Sequence, residues 1–173
     1  MEARLGDARV PFRAAVDRLI TRPGVSESVA RVLGAEIGFA MTWFPTARHL
    51  VSWAGLGPRL DESAGPRRST RTRPRNPWLT TPLVHGAWAA ARKKDGDLRA
   101  QFLRLKRRRG PTKAIIAVAA SMLTAAYDML RDGVDSRDLG ADHFERRDKA
   151  TLAKRLLARL HALGFNVELR AAS

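Results

Sequence analysis

Apolar side chains recur at helical spacing along most of this chain. Across residues 2–20 they fall at Leu5, Phe12, Val16, Leu19 and Ile20 among charges, the mark of an amphipathic helix. Pro11 interrupts that run, so the firm part is residues 12–20. Arg22, Pro23, Gly24 and Val25 then form a tight turn. Ser26 or Ser28 can cap a second helix over 27–38, with Val29, Val32, Leu33 and Ile37 on one face. A third helix is predicted over 46–54, capped by Thr46. Helices over 83–92, 98–109 and 113–130 follow, the last with Ile116, Ala119, Met122, Leu123, Ala126, Tyr127 and Leu130 at helical spacing. Thr81 with Pro82 reads as an N-cap and first-turn pair, and Gly110 with Pro111 as a stop. A last helix over 152–163 ends at Gly164. Residues 165–169 alternate like a short strand with no evident partner.

The pattern predicts an all-α, multi-helix domain with a long basic loop and a short C-terminal strand. Residues 1–21 form an N-terminal helical segment and 22–132 the main helical domain. Residues 133–148 read as a linker rich in Asp, Arg and Gly, and 149–173 as a final helix and tail. The pairing of helices around Pro23, Gly24 and Val25 has a helix-hairpin-helix outline, in which turn amides meet a phosphate. An ordinary αα-hairpin fits that outline equally well, and Ser26 stands where the motif usually has a second glycine.

Charge narrows the partners. Thirty-two Lys and Arg against 17 Asp and Glu leave 173 residues with a formal net charge of +15, which favours a polyanion. Nucleic acid is the first candidate. A membrane surface is weaker, because the cations are not confined to one helix face. The absence of cysteine excludes disulfides and thiolate metal sites. The N-terminus lacks the apolar stretch of a signal peptide, and residues 114–127 are too short to cross a bilayer. A cytoplasmic, nucleoid-associated protein is expected.

The cations concentrate in two places. One is the Gly/Pro-rich loop with Arg59, Arg67, Arg68, Arg71, Arg73 and Arg75. The other is 104–113, with Arg107, Arg108, Arg109 and Lys113. Each phosphate contact adds about one unit to the salt slope of binding. Within the first lies Ser63, beside Asp61 and Glu62. A serine can attack phosphorus when held in line, although a serine in such a loop is far more often a turn residue. Trp43, Trp53, Trp78 and Trp88 could stack on bases, but their apolar helical neighbours favour core positions. His49, His85, His143 and His161 show no ligand spacing, and Asp132, Asp135, Asp138 and Asp142 read as a solvated turn rather than a cation site.

Several ordered motifs carry a resemblance. They are R-P-G-V-x(4)-A-x(4)-A-E-I-G (22–38), F-P-T-A-R-H-L-V-S-W-A-G-L-x-P (44–58), E-S-A-G-x-R-R-S-x-R-T-R (62–73), N-x-W-L (76–79) and A-W-A-A-A-R (87–92). Further on stand R-L-K-R-R-R-G-x-x-K-A-I-x-A-V-A (104–119) and D-L-G-A-D-H-F-x-R-R (138–147). Together they resemble a bacterial insertion-sequence transposase family related to the recombinases that invert pilin genes. Its full-length members join an N-terminal RuvC-like Asp-Glu-Asp-Asp domain to a C-terminal helical domain. The resemblance implies that Ser63 attacks DNA and becomes covalently joined to it during strand exchange, with the surrounding arginines holding the DNA. It also implies a structured guide RNA, assembly into dimers and tetramers, and Mg²⁺ bound only by the RuvC-like acids.

The chain departs from the family pattern in several places. No acidic quartet precedes residue 22, so an isolated, truncated member is expected, an incomplete enzyme on its own that needs a full-length transposase to supply the acids. Arg22 stands where the family usually has an apolar residue, Arg75 where it has glycine, and Thr80 where it has arginine. Pro77 and Pro82 fall within one expected helix, which is therefore predicted to start late, at Thr81. The rival reading is a non-catalytic helical DNA- or RNA-binding module or regulatory relic. A protein–protein adaptor leaves the charge unexplained.

Overall fold

A computed structural model describes residues 12–57, 76–140, 153–154 and 156–165. The described elements are helical, and no strand occurs among them. Helix α1 covers 12–20, as its apolar spacing requires, and α2 runs Glu27–Ile37. A 3₁₀ turn at Met41–Trp43, which the apolar spacing does not signal, leads into α3, Ala47–Trp53. Helices α4 (Pro77–Arg92), α5 (Asp97–Arg109) and α6 (Pro111–Asp132) complete the body. Residues 156–162 are helical and end at Gly164, where Phe165 N–H donates to the Leu160 carbonyl and Gly164 N–H to that of His161. Phe165 is not in a strand, and 166–169 lie outside the described residues.

Helix α6 is the hub, packing against α3, α4, α5 and the 3₁₀ turn. By length and apolar composition it could cross a membrane, yet half of it is buried in the body. Ala114, Val118, Ala119 and Leu123 are fully enclosed and belong to one core with Leu79, Leu83 and Ala87 of α4, Leu50 of α3, Ala30 and Leu33 of α2, and Leu19 of α1. Each enclosed Leu or Val contributes about 1.5–3 kcal/mol relative to exposure.

Helix α4 starts earlier than its prolines suggest. Pro77 occupies the first turn, where its missing N–H has no intrahelical partner to lose. Asn76, not Thr81, is the cap: its side-chain oxygen accepts from Trp78 N–H at 3.0 Å. Pro82 lies inside the helix and withholds one hydrogen bond, from the carbonyl of Trp78, a residue exposed to water. The late start at Thr81 is thereby corrected.

Residues 134–140 follow α6 without regular secondary structure and are tied back to the body. Ser136 N–H donates to Thr21 Oγ1 at 2.9 Å, and Asp97 N–H donates to Asp138 Oδ1 at 3.1 Å. The described acids of this region are exposed, as expected of a solvated segment, and each also has a basic neighbour. Asp132 pairs with Arg131, Asp135 lies 3.9 Å from Arg18, and Asp138 holds Lys93 at 3.0 Å. Asp142 lies outside the described residues.

Candidate nucleic-acid interface

The basic end of α5 is on the surface. Lys106, Arg107, Arg108, Arg109 and Lys113 are exposed, and none makes an ion pair among the described residues. Four of these cations stand in the last turn of α5, where they complement its C-terminal dipole. Gly110, at φ 80°, then turns the chain directly into α6. Lys106 also lies 5.9 Å over the Phe102 ring, which holds its stem along the helix. Charge left unneutralised here is available to an outside anion.

Arg59, Ser63, Arg67, Arg68, Arg71, Arg73 and Arg75 lie outside the described residues, but both approaches to them are visible. On the leading side, α3 ends in two closing bonds, Leu56 N–H to the Val51 carbonyl and Gly55 N–H to that of Ser52, both 3.1 Å. Gly55 has φ 69°, and Ala54 and Leu56 are buried. On the trailing side, Asn76 is held four ways. Its Nδ2 donates to Glu36 Oε2 at 2.6 Å and its Oδ1 accepts from Trp78 N–H. Its carbonyl accepts from Thr80 N–H at 3.0 Å and Thr80 Oγ1 at 2.9 Å. The Glu36–Asn76 bond joins two sequence motifs 40 residues apart. Thr80 is buried, and its hydroxyl is spent on this closure.

The hairpin turn at Pro23, Gly24 and Val25 faces inward at its glycine. A Cβ on Gly24 would collide with the Gly86 carbonyl of α4, and one on Gly86 with the Gly24 carbonyl. Val25 is buried. At the start of α2, Ser26 Oγ accepts from Val29 N–H at 3.3 Å and Glu27 places negative charge in the first turn. Glycine at this turn therefore has a packing requirement of its own.

Arg22, a departure from the family pattern, has a structural role. It is 7% exposed and donates to Asp97 Oδ2 at 3.0 Å, with longer bonds of 3.4 Å to Ser136 Oγ and the Arg137 carbonyl. Among buried side-chain polar atoms of the described residues, Arg22 Nε has no partner.

The tryptophans are not core. Trp43 is 83% exposed, Trp78 76%, Trp53 50% and Trp88 38%. Trp43, Trp53 and Trp78 stand at element ends, while Trp88 lies inside α4 and leans edge-on against the buried Phe102, which corrects the expectation drawn from their apolar neighbours. Among the described residues no group of three or more His, Asp or Glu stands together as a metal site would need.

Residues 16–103 match the transposase IS116/IS110/IS902 family. The chain belongs to this family. The match includes segment 58–75 and both of its pinned approaches, and stops within α5 before the Arg107–Arg109 cluster. Over 124 residues the chain is 33% identical to an insertion element IS110 uncharacterized 43.6 kDa protein of Streptomyces coelicolor. That similarity covers 66% of this chain and 28% of the relative, so the transposase-family chain described here spans little more than a quarter of that protein's length.

Proposed function

We propose that this chain is the DNA-binding, serine-bearing part of a transposase and acts in DNA transposition. The observation that carries the reading is the family match across segment 58–75, which holds Ser63 and six arginines between two rigidly closed ends. The arginines bind and neutralise the phosphodiester, and Arg107, Arg108, Arg109 and Lys113 extend the contact to neighbouring phosphates. Ser63 Oγ then attacks phosphorus. An O–P bond forms to the serine, the bond to the leaving DNA oxygen breaks, and the serine proton is passed on to that oxygen. A second DNA hydroxyl reverses the step, releases the serine and completes strand exchange. A structured guide RNA and assembly with further copies or a full-length transposase belong to the same reading.

The test is to trap a covalent protein–DNA adduct on a duplex containing the element's end, with a full-length relative supplied. Wild type should form the adduct, and Ser63→Ala should lose it while still binding DNA. Equal adduct in the variant overturns the serine assignment. Salt-sensitive binding with no adduct in either favours a non-catalytic nucleic-acid-binding module, a reading for which the unpaired cations of α5 speak independently.

A further inference from the structure

Three of the four tryptophans stand exposed at the ends of their elements. Trp43 ends the 3₁₀ turn, Trp53 ends α3 just before segment 58–75, and Trp78 stands in the first turn of α4 just after it. Tryptophan is highly buried on average, and a buried indole contributes some of the largest apolar area of any residue. Leaving three of them half or more exposed forfeits that gain, so another role has to explain their positions.

Their surroundings indicate what they meet. The Trp53 ring leans on Phe44 with centroids 5.6 Å apart and planes inclined at 60°, which fixes one edge and leaves the rest open. Beneath them, Tyr127 of α6 donates its hydroxyl to the Phe44 carbonyl at 2.8 Å, so the backbone carrying the aromatic pair is anchored to the central helix. Thr42, Arg48, His49 and Ser52, in the same 3₁₀ turn and helix as Trp43 and Trp53, are also exposed, and Arg48 makes no ion pair among the described residues. A purely apolar partner would have to bury Arg48 unpaired, at high cost. A partner with both π-faces and negative charge satisfies the rings and the guanidinium together.

We propose that Trp43, Trp53 and Trp78 stack unpaired bases of the nucleic acid whose phosphates the basic clusters hold. The inference rests on the nucleic-acid-binding part of the proposed function and adds a preference for single-stranded segments. In a duplex the bases are already stacked on each other and offer their faces only at the ends. Unpaired bases can lie on exposed indoles, whatever their sequence. The Phe44–Trp53 pair, anchored by Tyr127, and the α5 cluster are separate. Lys113 and Tyr127 stand near opposite ends of α6, about 21 Å apart along the axis at 1.5 Å per residue. Stacking and phosphate contact can therefore be removed independently.

The experiment is fluorescence anisotropy of the full chain with a labelled single-stranded oligonucleotide and with its duplex, over a salt series. Trp43→Ala, Trp53→Ala and Trp78→Ala are compared with the corresponding Phe variants and with Arg107→Gln. Loss of a stacked ring should weaken single-strand binding about 5- to 100-fold. The Phe variants should keep most of the affinity, and duplex binding and the salt slope should not change. Arg107→Gln should instead lower the slope by about one unit on both ligands. Because the rings are exposed, the variants should keep the wild-type helical circular dichroism. Unchanged single-strand affinity in all three Ala variants, or an equal loss on the duplex, overturns the stacking proposal alone. Wild-type binding to neither ligand overturns it together with the nucleic-acid reading on which it rests.

Discussion

Arg22 and Asp97 carry two opposite charges into the interior, 3.0 Å apart, with side chains 8% and 7% exposed. Asp97 Oδ1 also accepts its neighbour's Leu98 N–H at 2.7 Å, so the carboxylate is satisfied on both oxygens. Removing one partner of such a pair leaves a buried charge uncompensated, which costs about 3–5 kcal/mol. Arg22→Leu should therefore lower stability by about that amount in urea denaturation. Arg22→Leu with Asp97→Asn should recover most of it, because the amide oxygen still serves Leu98. Two equally unstable variants would show that the pair is not what matters. None of this is legible along the chain. Arg22 adjoins a Pro-Gly turn in a basic protein, and its partner is 75 residues away. The tryptophans were equally opaque, since helical spacing gives a face only for residues well inside a helix, and Trp43, Trp53 and Trp78 stand at element ends.

Among the elements, α4 shows how local rules and packing compete. Its spacing identifies the helix, but two prolines obscure its start, because the Asn76 cap depends on Glu36 of α2 to hold the amide. Gly86 poses the opposite question. Alanine is favoured over glycine in a helix interior by about 1 kcal/mol, so the sequence alone suggests Gly86→Ala should stabilise. The added methyl, however, would overlap the Gly24 carbonyl, a backbone atom of a turn whose glycine sits at φ 86° and whose Val25 is buried. Neither side can yield as a flexible side chain would, and overpacking of this kind costs about 1–3 kcal/mol or more. The clash should win. Gly86→Ala is expected to lower the melting temperature by about 2–10 °C for a chain of this size. A rise would show that the hairpin turn is not seated on α4. Apolar periodicity revealed α1, α2 and α6 to within a few residues, because each presents a buried stripe, whereas α5 was bounded by its Gly110–Pro111 stop. The 3₁₀ turn and the Gly24–Gly86 contact depend on neighbours that periodicity does not encode.

At the scale of the whole molecule, residues 134–140 close the structure by joining its first hairpin to its fifth helix. Ser136 reaches Thr21 across 115 residues of sequence, and Asp138 binds both Lys93 and the first amide of α5. Helix α5 begins after Gly96, which offers no capping side chain, so Asp138 supplies the missing acceptor and a negative charge at the positive end of the dipole. Burial alone would raise the Asp138 carboxyl. The amides of Asp97 and Gly140 and the Lys93 ammonium outweigh it and hold the group below the ordinary carboxylate value. A carboxyl whose folded value is lowered binds its proton more readily when unfolded. Its contribution to stability is therefore complete above the unfolded value of about 3.9 and is lost as pH falls through the lower folded one. Asp138→Asn keeps an oxygen acceptor but removes the charge, so its stability deficit against wild type measures that contribution. The deficit, read from urea midpoints, should be constant from about pH 7 down to about pH 5 and shrink below about pH 4. A deficit that persists undiminished into strong acid would mean that the side chain acts there through its shape and hydrogen bonds, not through its ionised charge.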